Sequence, residues 1–345
     1  MLNRIQAARA IAAYGVVLYH LASELDFAAE YAGPAFTVGK GGVDLFFVIS
    51  GFIMVHVTRD TETPWGFFAK RVFRIVPLYW LATAAVLVLV AIRPWLVQPA
   101  RVSPETIAAS LSFFPMFDNN MEARPLLFLG WTLNYEMMFY LIFALCLLAP
   151  KPFRIPLTAG SLIGLMTVAP FIPHEAAALF YSQPIMLEFV AGCLIGAALS
   201  TEAAGRLFAR VPAWPITALG AGLFVLAAAF PYSLPRHLLY GVPATFVVLG
   251  LAAADLHSRP IGANVLSKLG DSSYSLYLLH VLVFTVLSVV YFPLAGTSAP
   301  AQIAYALIAT AAATATAALS FRYIENPSNR FLRNLWTPKP QRQTT

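Results

Sequence analysis

The stretch Val76-Pro77-Leu78-Tyr79-Trp80-Leu81-Ala82-Thr83-Ala84-Ala85-Val86-Leu87-Val88-Leu89-Val90-Ala91-Ile92 carries no charge and never alternates polar with apolar positions. A barrel strand would be shorter and would alternate, so the run reads as a helix immersed in hydrocarbon. The rest of the chain repeats the pattern. Of 345 residues, 59% are hydrophobic and only 11% are charged, whereas a soluble domain clothes its surface with about 25% charged residues. Lipid is therefore the solvent for most of the surface. Apolar runs near 6–24, 42–57, 76–92, 130–149, 155–172, 184–199, 214–230, 238–254, 273–291 and 301–321 give about ten spans of the length a bilayer requires. The fold class that follows is all-α, a polytopic integral membrane helical bundle.

An even number of spans puts both termini on one side. That side collects all but Lys40, Arg93, Arg101, Arg124 and Arg236 of the 22 Lys and Arg, which by the positive-inside rule makes both termini cytoplasmic. The same distribution accounts for the net charge of +6 without nucleic acid as a partner. Cys146 and Cys193 lie inside apolar runs and read as small buried hydrophobes, not as a disulfide or metal site. The first span lacks a small-residue cleavage site and is expected to be retained. The longest outer connection, from Arg93 to Pro125, is broken by prolines and carries Phe113, Phe114 and Phe117; it reads either as a lid over an acceptor or as a connector touching the membrane surface. Residues 326–345 read as a basic, disordered cytoplasmic tail.

Ionisable groups inside a bilayer are costly and therefore candidates for function. Arg9 and His20 are eleven positions apart, about 20° from three full helical turns, and so share one face of the first span with a rise of about 16 Å between them. Arg9 falls toward the cytoplasm and His20 toward the outer third. Asp44, Glu136 and Glu188 lie near the outer ends of their spans, at a depth where a carboxylate could orient His20 and stabilise its protonated form. Each has a plainer reading: Asp44 as a helix cap, His20 as a packed core histidine. His280 follows Tyr274 and Tyr277 on the ninth span and reads, with Tyr277 and Glu188, as a supporting group. His56 falls near the cytoplasmic end of its span. Lys70, Arg71 and Arg74 cluster at the cytoplasmic end of the third span, suited either to lipid head groups or to the phosphates of a soluble anion.

Taken in order, Arg9-x10-His20, the block Gly42 to Phe52, Lys70-Arg71-x-x-Arg74 before Pro77-Leu78-Tyr79-Trp80, Trp131-x-Leu133-x-x-Glu136-x-x-Phe139-Tyr140, Ser273-Tyr274-Ser275-Leu276-Tyr277-Leu278-Leu279-His280 and Glu325-Asn326-Pro327 resemble the bacterial acyltransferase-3 family. The resemblance is to those members that O-acetylate exopolysaccharides and related surface glycans. It implies that residues 1–325 are one transmembrane acyltransferase domain in the bacterial inner membrane. It further implies acetyl-CoA as a cytoplasmic co-substrate with no tightly bound cofactor and no metal, and a glycan or lipid-linked oligosaccharide hydroxyl as acceptor. Membrane lipids would be the other partners.

Under that resemblance Arg9 and His20 are required for transfer, His20 as general base or as transient acyl carrier, with Glu136 or Asp44 orienting it or touching the sugar. Arg71 and Arg74 handle the donor. Lys70 departs from the family, which often has arginine there, and lacks the planar fork that suits phosphate. The competing reading is a proton-coupled transporter or flippase using His20, Glu136 and Glu188 as a relay; no internal repeat supports it.

Overall fold

A computed structural model describes residues 2–25, 33–93, 102–117, 124–230 and 234–336, and among these it contains no strand. The helices in chain order are α1 (Asn3–Ser23), α2 (Gly41–Val57), α3 (Pro64–Ile92), α4 (Pro104–Leu111), α5 (Trp131–Cys146), α6 (Lys151–Val168), α7 (Glu175–Tyr181), α8 (Leu187–Leu199), α9 (Glu202–Phe208), α10 (Trp214–Ala229), α11 (Val242–His257), α12 (Val265–Asp271), α13 (Ser273–Ala295), α14 (Ala299–Ser320) and α15 (Asn326–Trp336). All ten apolar runs read from the sequence are helical. Among the described residues eight helices are individually long and apolar enough to cross a bilayer, and α7 with α8, bent by 47°, makes a ninth if the pair is one span. The tenth, α10, has 16 residues and so about 24 Å of length, short of a hydrocarbon core of about 30 Å.

The first span is the hub. It packs against α2, α11, α12 and α13, and its small residues Ala8, Ala10, Ala12 and Ala13 are buried among them. Its start is anchored by Asp255 on α11, whose carboxylate accepts from the backbone N–H groups of Arg4 and Ile5 at 3.0 Å and from the Arg4 guanidinium at 3.2 Å. An acidic group there satisfies orphan N–H donors and complements the helix dipole.

A close backbone crossing joins α2 to α8. A Cβ on Gly51 would strike the Phe189 carbonyl, and one on Gly192 would strike that of Val48. In lipid, where apolar surface alone gives helices little reason to associate, such backbone contact is a main source of cohesion.

Two boundaries differ from the sequence reading. The third span begins at Pro64, not near 76: Thr63 caps it by accepting from the Gly66 N–H at 3.1 Å, Pro64 occupies the first turn, and Pro77 lies inside the helix. A Thr-Pro start outweighs one interior proline, and Lys70, Arg71 and Arg74 consequently sit within the helix. The segment from Asn326 is not disordered as far as Trp336. Instead α14 runs through a π-turn at Phe321–Glu325 directly into α15, an amphipathic helix packed on α3; residues 337–345 lie outside the described residues. The outer connection is described in part. It contains α4, started by a Ser103–Thr106 capping box, and it folds down onto α3 through Tyr79, which donates to the Ser110 carbonyl at 3.1 Å. Phe113 stacks on Tyr79, 4.8 Å between centroids, so it packs on protein and not on the membrane surface. Residues 94–101 and 118–123 of that connection lie outside the described residues.

Candidate active site

A cavity of about 460 Å³ opens at the face of the bundle where α1 begins. Its mouth is formed by Asn3, His56, Val57, Ala263, Lys268 and Asp271, and its interior by Arg9, Ser50, Arg71, Arg74, Glu136 and Tyr140. Three arginines thus converge from two helices. Arg9 donates to Gln6 at 2.8 Å, and Gln6 in turn donates to Asp271 of α12 at 2.8 Å. Arg74, Glu136 and Glu325 are the charged neighbours of Arg9. The Arg71 guanidinium lies 5.5 Å from the Phe67 ring, and its Nε is buried with no hydrogen-bond partner among the described residues. Glu136 accepts from Ser50 at 3.1 Å and, through a short bond, from Tyr140 one turn further along α5. Glu325, turned inward by the π-turn, accepts from Ser275 at 2.6 Å. Three guanidiniums facing two carboxylates leave a cationic excess in a largely apolar hole, and a buried guanidinium N–H without an acceptor has the chemistry to receive an anion.

His20 lies beyond this cavity. Phe46, Thr132 and Tyr277 form a layer of the cavity lining, with the Tyr277 ring 6.3 Å from that of His280; the Tyr277 hydroxyl is 3.0 Å from Thr132 and donates to the Leu129 carbonyl at 3.3 Å, and Phe46 meets its ring edge-on. On the far side His20 Nδ1 is 2.9 Å from His280 Nε2, while His280 Nδ1 is 3.1 Å from the Leu276 carbonyl. The tautomers follow. A carbonyl can only accept, so His280 carries its proton on Nδ1 and presents a lone pair at Nε2. His20 must then donate from Nδ1, which leaves its own Nε2 lone pair available as a base. Tyr19 and Phe128 flank the His20 ring at 5.1 and 5.4 Å, with the cations of Lys40 and Arg124 over their outer faces.

The structure therefore regroups the candidates. Arg9, Arg71, Arg74 and Glu136 come together around one cavity; His20, His280 and Tyr277 form the adjoining group. The carboxylates expected beside His20 are elsewhere: Glu136 belongs to the arginines, and Asp44 accepts from Arg236 at 2.6 Å, with Glu188 alongside the same pair. His20 is oriented instead by another imidazole and by the Val16 carbonyl one turn back on α1. Depth along a span, which is all that residue counting supplies, does not fix which way a side chain turns. Lys70 is held by both oxygens of Glu62 at 2.8 Å and does not line the cavity. Ser50, Tyr140 and Glu325 enter the sequence reading only as members of the quoted motifs, with no role given to them, and Gln6 and Asp271 do not enter it at all.

The chain is thus a membrane helical bundle in which an arginine-lined cavity adjoins a pair of hydrogen-bonded histidines. The acyltransferase-3 family model, described as an acyltransferase domain, matches residues 2–322, and the chain belongs to that family and is an acyltransferase. It is 38% identical over 272 residues to the exopolysaccharide production protein ExoZ of Rhizobium meliloti (strain 1021), covering 76% of this chain and 81% of that protein. It is 26% identical to the acyltransferase MdmB of Streptomyces mycarofaciens, covering 80% of this chain and 77% of that one. The peptidoglycan O-acetyltransferase OatA of Listeria monocytogenes is 26% identical over 94% of this chain, which spans 55% of OatA. No solved structure is matched.

Proposed function

We propose that the protein moves an acetyl group from acetyl-CoA, entering from the cytoplasm, to a hydroxyl of an exopolysaccharide or lipid-linked surface glycan on the other side of the bacterial inner membrane. The observation that carries this reading is a match of lengths. Arg9 and His20 are separated by about 16 Å of helix rise. The pantetheine arm, about 13 bonds from diphosphate to sulfur, extends to roughly the same distance at ordinary bond lengths. With its diphosphate against Arg9, Arg71 and Arg74, the donor would deliver its thioester to the level of His20. The Tyr277 layer has to give way as the arm passes.

The chemistry then runs as general-base catalysis. His20 Nε2 takes the proton of the acceptor hydroxyl, the oxygen attacks the thioester carbonyl, and the departing CoA thiolate recovers the proton from His20. The imidazolium formed on the way keeps donating from Nδ1 to His280 Nε2, a charge-assisted bond made only while His20 is protonated. The ExoZ similarity supports an exopolysaccharide acceptor and OatA supports O-acetylation as the reaction. The excess of Lys and Arg at the termini face supports its cytoplasmic placement. Membranes containing the protein, given radiolabelled acetyl-CoA and the native glycan, should transfer label to the glycan. Equal transfer by His20→Ala protein would reject the mechanism, and equal donor binding by the Arg71→Ala/Arg74→Ala double variant would reject the phosphate role.

A further inference from the structure

The donor cavity has a second cationic position, separate from the arginines. Among the described residues that line it, the side chains bearing a permanent positive charge are Arg9, Arg71, Arg74 and Lys268. The three arginines share the carboxylates of Glu136 and Glu325 deep inside. Lys268 stands alone at the mouth on α12, exposed and with no ion pair among the described residues. Asp271, one turn further along α12, accepts from the Gln6 amide through Oδ1 and forms no ion pair with Lys268 among the described residues. His56, at the mouth from α2, stacks on Phe52 at 5.6 Å.

The position of α12 is fixed. Gly270 lies so close to α1 that a Cβ there would collide with the Gln6 carbonyl. Gln6 is one turn, about 4.5 Å, nearer the mouth than Arg9. Lys268, two residues before Gly270, is therefore anchored beside the start of α1, exposed at the mouth of the cavity and outward of Arg9.

A CoA thioester carries phosphate at two positions separated by one ribose ring: the diphosphate, and the 3′-phosphate on its outer side. With the diphosphate at the arginines, the 3′-phosphate falls toward the mouth, where a compact ammonium on a flexible stem is the suitable partner for a hydrated terminal phosphate. We propose that Lys268 binds the 3′-phosphate of the donor and makes the enzyme select CoA thioesters over their 3′-dephospho counterparts. This rests on the acyl-CoA donor reading above.

The test compares acetyl-CoA with acetyl-3′-dephospho-CoA as donors to native glycan in membranes carrying the full-length protein. Wild type should use acetyl-CoA about tenfold more efficiently in kcat/KM, through KM, as one charge-assisted contact allows. Lys268→Ala should bring that ratio to within about twofold of unity by weakening use of acetyl-CoA, and Lys268→Arg should keep it, since one charge-assisted contact to phosphate is enough. A Lys268→Ala ratio equal to wild type, an equal loss on both donors, or a wild type indifferent to the 3′-phosphate would each overturn the assignment while leaving acyl transfer from CoA intact. Wild type that transfers acetyl from neither donor would instead overturn the donor reading, and this inference with it.

Discussion

His280 offers the sharpest test of the catalytic geometry. It touches neither cavity nor mouth, and it is fully buried. Its Nε2 is nonetheless the acceptor for His20 Nδ1. In the proposed mechanism, replacing it with alanine removes one of the two acceptors that hold His20, the Val16 carbonyl being the other, and the one that stabilises the imidazolium in the transition state. A hydrogen bond to a charged group contributes about 1.5–3 kcal/mol, which at about 1.36 kcal/mol per decade is a loss of about 10- to 150-fold in kcat. Because the bond strengthens only as His20 becomes protonated, the loss should appear in kcat with the KM for acetyl-CoA nearly unchanged.

His280→Gln should recover much of the rate, since its amide oxygen can accept from the same Nδ1–H. A merely structural role would show no such recovery, and would lower the amount of folded protein and donor binding together. The assay is initial-rate transfer of radiolabelled acetyl to glycan at saturating acetyl-CoA, normalised to folded protein. A His280→Ala kcat within twofold of wild type, with His20→Ala inactive in the same preparation, would refute the derivation of the tautomers and the role built on it.

Other consequences are checked more simply. Arg236→Ala leaves Asp44, fully buried, and Glu188 without their cation; unpairing a buried charge costs about 3–5 kcal/mol, so the detergent-solubilised protein should melt well below wild type, and Arg236→Ala/Asp44→Asn should regain part of the loss. Gly192→Val forces α2 and α8 apart and should abolish accumulation of folded protein in membranes, measured by size-exclusion of a fluorescent fusion, whereas Gly160→Val, which meets nothing within 4 Å, should be silent. Tyr277→Phe removes the hydroxyl held by Thr132 and Leu129; acetyl-CoA hydrolysis without acceptor should rise severalfold, and an unchanged rate would show that the layer is held by packing alone.

Most of the bundle was legible because a helix in lipid announces itself by composition over about twenty residues, and the position of each apolar run survives whatever its neighbours do. Helix starts were less so. The third span reads from its uncharged half, and its first three turns belong to the same helix although they carry Lys70, Arg71 and Arg74, because Arg71 and Arg74 turn into the cavity instead of lipid. The site was legible in its membership and not in its pairing. Arg9, His20, Arg71, Arg74 and Glu136 are conspicuous as charges in apolar runs, but the partner of His20 lies 260 positions away, and nothing in the local sequence says that it is His280 and not Asp44. Gln6 and Ser50 look like ordinary polar residues until α12 and α5 are packed against them. Asn326–Trp336 was misread because polar composition was weighed without its helical period, which places Phe331 and Leu335 one turn apart on a single exposed stripe.

The Phe46, Thr132 and Tyr277 layer has a consequence for the cell as a whole. A water-filled hole that reached from the cytoplasm to the glycan would short-circuit the proton gradient on which the membrane depends. Under the proposed donor route, with these side chains across the path, only a slender acylated thread need pass, and the membrane can export a chemical group without exporting charge.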